Sequence, residues 1–201
     1  MSRPSTSSDA GDLRGYEVVV AVCGGIAAYK VCEIVSRLVQ RGSGVTVVMT
    51  DAATRFVGPA TFQALSGRRV VTSLWHEHDA DDIRHVTLSG AADLLLIAPA
   101  TANIIGKIAC GIADDPVSTL VISAASPVVL APTMNDRMWQ NPRVVSNVET
   151  LRRHEYQFVG PGEGWLACRS VGPGRMAEPW EILEVVISNL KANPPRATAG
   201  E

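Results

Sequence analysis

Five short runs of aliphatic and β-branched residues punctuate the chain, and each one stops at a turn of small or polar residues. Glu17–Val22 ends at Cys23-Gly24-Gly25, Val45–Met49 at Thr50, Leu94–Ala98 at Pro99, Val128–Leu130 at Ala131-Pro132, and Gln157–Val159 at Gly160-Pro161. Such runs carry almost no charge, the pattern of strands covered on both faces. Between them the apolar period changes to three and four. Ile26, Tyr29, Val31, Ile34, Val35 and Leu38 predict a helix over 26–40, closed by Arg41-Gly42, and Pro179–Leu190 predicts a final amphipathic helix. Strands alternating with helices imply an α/β fold, a parallel sheet with helices on both faces. Met1 to about Arg14 is rich in Ser, Asp, Gly and Arg and reads as a disordered arm. The stretch from Ala192 to Glu201 reads as a flexible tail, which leaves one domain over 15–191.

Composition narrows the function classes. With 201 residues, 46% of them hydrophobic, a core forms without covalent staples. A net charge of −2 with no basic stripe argues against nucleic acid as a partner. No apolar run is long enough for a membrane span and residues 1–14 hold no apolar leader segment, so a cytoplasmic location is expected. Cys23, Cys32, Cys110 and Cys168 show no paired spacing and no histidine partners for a metal. The first three read as small buried side chains.

Ligands of parallel sheets bind beyond the carboxyl ends of the strands, which directs attention to the turns. Gly24-Gly25 leads straight into a helix, where free amides favour an anion; the short loop suits one phosphate better than a dinucleotide, and the alternative is a plain tight turn. Pro99–Asn103 offers small residues beside the hydroxyl of Thr101 and the amide of Asn103, although Thr101 also fits a helix cap. Asp114-Asp115 before Pro116 reads as a helix start, the alternative being metal or acid–base work. Asn135 stands between Met134 and Met138 at a strand end, placed either to orient a substrate carboxylate or to cap the next helix. Cys168 lies in the glycine-rich segment 160–174, read as a mobile flap, with the Arg169 cation beside it; Arg175 suits a phosphate or carboxylate. His76, His78 and His154 read as structural or solvated.

Pro132-Thr133-Met134-Asn135-Asp136-Arg137-Met138-Trp139 resembles the PxMNxxMW signature of the flavin-containing cysteine decarboxylases, which include phosphopantothenoylcysteine and lantibiotic peptidyl-cysteine decarboxylases. Gly24-Gly25-Ile26-Ala27-Ala28-Tyr29-Lys30 is similar to the family's flavin-binding start, with Gly25 in place of its usual Ser. Phe56-Val57, Pro59 to Gly67, His85-Val86-Thr87-Leu88 and Pro99–Asn103 match further motifs in order. Gly164–Ala167, Cys168 and Gly174-Arg175-Met176 match its substrate flap, with Arg169 in place of Gly.

The resemblance implies a flavodoxin-like three-layer fold, assembly as a trimer or dodecamer, and bound flavin mononucleotide (FMN). Its implied flavin contacts are Gly24, Gly25, Ile26, Thr50, Asp51, Ala52, Phe56, Thr101, Ala102, Asn103, Ser118 and Thr133. His85, Asn135 and Cys168 are the implied catalytic residues; Met138, Ala167 and Arg175 join Asn135 and Cys168 at the substrate. In the implied chemistry flavin takes a hydride from the carbon bearing sulfur, the resulting thioaldehyde accepts the electrons of decarboxylation, and the reduced flavin then returns the hydride while Cys168 supplies a proton, giving a saturated thiol. Phosphopantothenoylcysteine is the expected substrate, with a separate phosphopantothenate–cysteine ligase expected in its pathway. The alternatives are a peptide ending in cysteine, the chemistry of related flavin prenyltransferases, or a non-catalytic flavoprotein subunit.

Overall fold

The computed structural model describes residues 11–74 and 84–196, apart from the side chains of 84–87. In chain order the strands are β1 (Glu17–Val22), β2 (Gly44–Met49), β3 (Leu94–Ala100), β4 (Val128–Pro132), β5 (Gln157–Phe158), β6 (Gly162–Trp165) and β7 (Val171–Arg175). The helices are α1 (Ala28–Gln40), α2 (Asp51–Thr54), α3 (Pro59–Ser66), α4 (Arg84–Ala91), α5 (Ala102–Ala109), α6 (Pro116–Ile122), α7 (Asp136–Trp139), α8 (Pro142–Arg153) and α9 (Pro179–Lys191).

β1 to β5 form one parallel sheet in the order β2-β1-β3-β4-β5. That is the flavodoxin-like order, and its switch point lies between β1 and β3. The pleat divides the strand residues between two layers. Val18, Val20, Leu94 and Leu96 face α1, α3 and α9; Val19, Ala21, Leu95 and Ile97 face α5, α6 and α8. Every residue of β3 is buried, as a central strand between two helix layers requires. Three layers, as expected, leave the strand ends as the place for chemistry.

Several boundaries differ from the sequence reading for identifiable reasons. α1 begins at Ala28 and buries Ala28, Val31, Ile34, Val35 and Leu38. Ile26 and Tyr29, counted on its apolar stripe, are instead 58% and 61% exposed. The expected arm is ordered from Gly11: Leu13 is fully buried, and Asp12 pairs with Arg41 at 2.5 Å and with Lys191 at 2.6 Å. Residues 1–10 lie outside the described residues. The tail is likewise placed as far as Arg196, which bonds back to Asp93. Cys110 is exposed at the end of α5, while Cys23 is buried and Cys32 partly so.

The Arg41 hydrogen bond holds the Asp12 carboxyl down at about 2, against the opposing effect of burial, with help from Lys191. A carboxyl lowered in the folded state contributes stability above its unfolded value and loses it as pH falls through the folded one. Asp12→Asn is therefore expected to lower stability by about 1 kcal/mol at neutral pH, allowing for solvent screening of the pair. Urea unfolding at a series of pH values checks this: the gap between variant and wild type closes as pH falls from about 4 towards about 2.

Candidate functional site

The carboxyl ends of β1, β2, β3 and β4 open on one cavity of about 1050 Å³. The turn after each strand contributes to its wall. From β1 come Gly24, Gly25 and Ile26; from β2, Thr50, Asp51 and Ala52; from β3, Thr101, Ala102 and Asn103; from β4, Thr133, Met134 and Asn135. Met138, Ala167, Cys168 and Arg175 also line it. Separate motifs, spread over more than 150 residues, thus meet at one place.

The glycine pair divides its duties. A Cβ on Gly24 would stand 2.5 Å from the Ala52 Cβ, so this glycine lets the β1 and β2 turns touch. A Cβ on Gly25 would meet Pro99 and Thr133 at 3.6 Å, an ordinary contact. The position where the family usually carries Ser therefore has room for one. Two of the three threonines are placed by local caps and the third by a long-range bond. Thr50 and Thr101 accept from the amides of Ala53 and Ile104 at the starts of α2 and α5, and Thr133 donates to the Gly174 carbonyl at 3.3 Å. Each cap contributes about 1 kcal/mol to the helix start and leaves a hydroxyl at the cavity wall.

Asn135 serves two purposes at once. Its Oδ1 accepts from the Met138 amide at 2.8 Å, capping α7, and no partner engages its Nδ2 among the described residues. The cap fixes the side chain with both N–H bonds available to a ligand.

Two expected flavin contacts are not on this wall. Ser118 is fully buried; its hydroxyl accepts from the Asp114 and Asp115 amides and closes the capping box of α6. Phe56 is half-exposed and lies outside the cavity. The Asp114-Asp115 pair behaves as a helix start: Asp115 Oδ1 accepts from Val117 and Ser118. For His85, the backbone lies in the first turn of α4 and the side chain is outside the described residues.

The segment read as a mobile flap is an antiparallel hairpin, β6 with β7. At its tip the Leu166 carbonyl accepts from the Arg169 amide at 2.9 Å, and the Leu166 amide donates to Ser170 at 2.8 Å. Ala167-Cys168-Arg169 is thus a three-residue connection whose last residue is left-handed, with Arg169 at φ 67°. Glycine is the residue that this position prefers, which gives the family's usual Gly a physical cause. Arg169→Gly is expected to raise stability by about 0.5 kcal/mol, strain relief outweighing the unfolded-chain entropy of glycine. Arg169→Val should lower it by more than about 1 kcal/mol, since β-branched residues are outliers there. Urea midpoints of the two variants decide the matter. Cys168 is exposed at the tip, with its Sγ 3.2 Å from the Ser170 hydroxyl.

Two cation clusters at the wall escaped sequence reasoning. Lys30 bonds both oxygens of Glu178 at 3.1 Å, and Arg175 bonds Glu178 Oε1 at 2.6 Å. Burial raises the Glu178 carboxyl, but the hydrogen bond and charge of Lys30, with Arg175, outweigh it, so the group titrates below its usual range. Arg175 is therefore partly engaged already. Lys107 reaches both Asp114 and Asp115 at 2.6 Å; burial lowers its ammonium, and the two carboxylates more than reverse that. Its spacing of four from Asn103 put it on the same helix face, a signal that was there to use. Cys23, at the cavity floor, is pushed up to about 12 by burial and then by Asp115, which leaves it inert.

A flavoprotein family model matches residues 6–191. The chain belongs to the flavoprotein family. The coenzyme A biosynthesis bifunctional protein CoaBC of Bacillus subtilis (strain 168) is 47% identical over 173 residues, covering 86% of this flavoprotein and 43% of that protein. The Escherichia coli (strain K12) protein of the same name is 40% identical over 178 residues, covering 89% of this chain and 44% of its own. The chain thus spans less than half the length of these curated relatives. Among solved structures, a mutant PPC decarboxylase complexed with pantothenoylaminoethenethiol superposes with a TM-score of 0.78 at 28% identity, covering 89% of this chain and all of that one. The FMN-dependent cysteine decarboxylase SpaF gives a TM-score of 0.74 at 34% identity, covering 87% and 99%.

The wall suits a flavin mononucleotide. The β1 turn presents amides at the positive end of the 13-residue α1, suited to a single phosphate. Ala52, Ala102 and the open face of Gly25 admit a flat ring, and the threonine hydroxyls and Asn103 can bond its polar edge.

Proposed function

We propose that this flavoprotein binds FMN and decarboxylates a cysteine-derived carboxylate, phosphopantothenoylcysteine in the first place. One observation carries the reading: Asn135, capped into a single orientation, points an unpartnered amide into the same cavity that holds the glycine turn, with Cys168 on the hairpin that lines it. A substrate lying between the flavin site and the hairpin would meet all of these groups. The relatives named for coenzyme A biosynthesis and the PPC decarboxylase neighbour favour this substrate over a peptide.

Gly24, Gly25, Ile26, Thr50, Asp51, Ala52, Thr101, Ala102, Asn103 and Thr133 would hold the flavin. When bound, it would supply an acceptor for a hydride from the substrate carbon that bears sulfur and a donor that returns that hydride when the product is saturated. The chain's own residues then do the rest. Asn135 Nδ2 donates to the substrate carboxylate and holds its C–C bond in line for loss of carbon dioxide. His85 steers that carboxylate or exchanges a proton near it. Cys168 closes over the thiol end and donates a proton to carbon as the saturated product forms. Met138 and Ala167 wall the substrate, and Arg175, held by Glu178, offers its remaining N–H bonds to a phosphate or carboxylate.

The assembly would be a homotrimer or a dodecamer. Ile26, Tyr29 and Trp165 line the cavity and are each more than half exposed, an apolar rim that a second subunit would cover. Phe56, away from this chain's cavity, would then be available to a neighbour's flavin. A separate ligase would join cysteine to phosphopantothenate.

The test offers FMN-loaded protein either phosphopantothenoylcysteine or a peptide ending in cysteine, and measures carbon dioxide release from each. The reading expects kcat/KM at least about a hundredfold higher for the first, as distal contacts to the pantetheine arm would confer. A preference for the peptide would reassign the substrate, and release from neither would reject the activity.

A further inference from the structure

One carboxylate behind the cavity wall joins two cations that line it. Glu178 does not itself line the cavity, yet it bonds Lys30 from α1 and Arg175 from the end of β7, which both do. The chain holds the two cations unequally. Lys30 sits on a helix whose apolar stripe is buried, and its side chain is only 13% exposed. Arg175 ends a glycine-rich strand of the hairpin, and its side chain is 44% exposed.

Glu178 belongs to the firm side of this contact. It precedes Pro179 at the start of α9, and its amide donates to Glu181 at 2.7 Å. Pro179, Ile182, Val186 and Leu190 bury α9 in the core, where it packs on α1. Lys30 Nζ lies 3.1 Å from each carboxylate oxygen, so two packed helices fix the group. Burial raises the Glu178 carboxyl, but Lys30 and then Arg175 bring it below its ordinary range, which keeps it charged at neutral pH.

Arg175 takes its direction from this carboxylate and from a glycine. Its Nη2 donates to Glu178 Oε1 at 2.6 Å. The rest of the side chain lies across Gly164 of β6, where a Cβ would stand 3.3 Å from both Cδ and Nη1. Among the described residues Glu178 is the partner that the guanidinium engages, so Nε and Nη1 keep their donors for a ligand. A swinging arginine must surrender its rotamers on binding, whereas one already held has done so on folding.

We propose that Glu178 is a positioning residue for substrate binding: anchored by Lys30, it holds Arg175 across Gly164 so that the free N–H bonds of the guanidinium meet an oxyanion of the substrate. The inference rests on the decarboxylase reading for its substrate, and the oxyanion is either the distal phosphate or the carboxylate.

The experiment compares wild type, Glu178→Ala, Glu178→Gln, Arg175→Ala and the Arg175→Ala/Glu178→Ala double variant, all full-length and FMN-loaded. Each is assayed on phosphopantothenoylcysteine and on pantothenoylcysteine, which lacks the phosphate. Glu178→Ala should raise KM for the phosphorylated substrate about tenfold, the worth of one hydrogen bond to a charged group, with kcat within about twofold. That split marks lost binding and not damage to the reacting groups. Glu178→Gln keeps an acceptor oxygen for Lys30, and with it the fold, and should raise KM by about threefold. With Arg175 already replaced, Glu178→Ala should add nothing, because the two residues act as a unit. A loss confined to phosphopantothenoylcysteine supports the proposal with phosphate as the oxyanion, and an equal loss on both substrates supports it with the carboxylate. Unchanged KM in both Glu178 variants, a fall in kcat alone, or an equal loss with and without Arg175 overturns it. Wild-type protein that binds phosphopantothenoylcysteine in calorimetry but releases no carbon dioxide rejects the decarboxylase reading instead, and the same comparison is then read as Kd. Protein that does neither overturns both.

Discussion

Asn135→Asp is expected to leave the fold and the flavin content intact while lowering kcat/KM by about a thousandfold or more. The substitution separates the two duties of this side chain. A carboxylate oxygen can accept from the Met138 amide as Oδ1 does now at 2.8 Å, so the cap of α7 survives. What is lost is the donor pair on Nδ2, and a negative charge takes its place beside the substrate carboxylate. Losing a donor to a charged group in an enclosed site costs about 3 kcal/mol, and like-charge repulsion adds to it. Asn135→Ala makes the opposite cut: it removes cap and donor but brings no charge, so about a hundredfold loss is expected, with about 1 kcal/mol of stability. Circular dichroism and flavin absorbance serve as controls for the kinetics. An Asn135→Asp enzyme within tenfold of wild type would make the residue a cap and nothing more.

Gly174→Val should undock the hairpin. The residue has a φ of 129°, and a Cβ there would press on the Met134 carbonyl oxygen. Its own carbonyl accepts from the Met134 amide at 3.0 Å and from the Thr133 hydroxyl. One glycine thus fastens β7 to the β4 turn, and with it the placement of Cys168, Ala167 and Arg175 opposite Asn135. Substitution combines a backbone strain of about 1–3 kcal/mol with a contact that cannot relax, because backbone lies on both sides. The expected outcome is loss of turnover, a stability deficit of more than about 2 kcal/mol, and a new protease cut within 162–175. Gly162→Ala is the matched control. Its Cβ would meet only the Arg175 carbonyl at 3.9 Å, so stability should stay within about 1 kcal/mol of wild type. If the two variants behave alike, docking through Gly174 does not hold the hairpin.

Much of the architecture was legible because short-range rules govern it. Aliphatic runs with almost no charge marked all five strands of the main sheet, and the turn residues after them marked the cavity wall. What escaped depends on contacts between distant parts of the chain. β3 runs on through Pro99 to Ala100, because pairing with β4 resumes there at Pro132. Ile26 and Tyr29 have the right spacing for a buried stripe, but the helix that would bury them starts only at Ala28. The glycine-rich flap looked irregular because glycine hides strand periodicity; its pairing from Gly162 to Arg175 makes it a hairpin. Lys30 and Glu178 are 148 residues apart, and no local spacing announces such a pair. Ser118 illustrates another limit of local reading: its hydroxyl closes the capping box of α6, and the residue does not line the cavity of this chain. Leu13 shows how little an arm rich in polar residues says about the one apolar side chain that anchors it.

The most direct test of the whole account is the mass of the product. Purified, FMN-loaded protein is incubated with phosphopantothenoylcysteine without added reductant, and the reaction is followed by mass spectrometry. The account predicts loss of carbon dioxide and a saturated thiol, phosphopantetheine, with no net consumption of oxidant and with Cys168→Ser stalling at the unsaturated enethiol. Unchanged substrate after incubation with flavin-loaded, folded protein would contradict it.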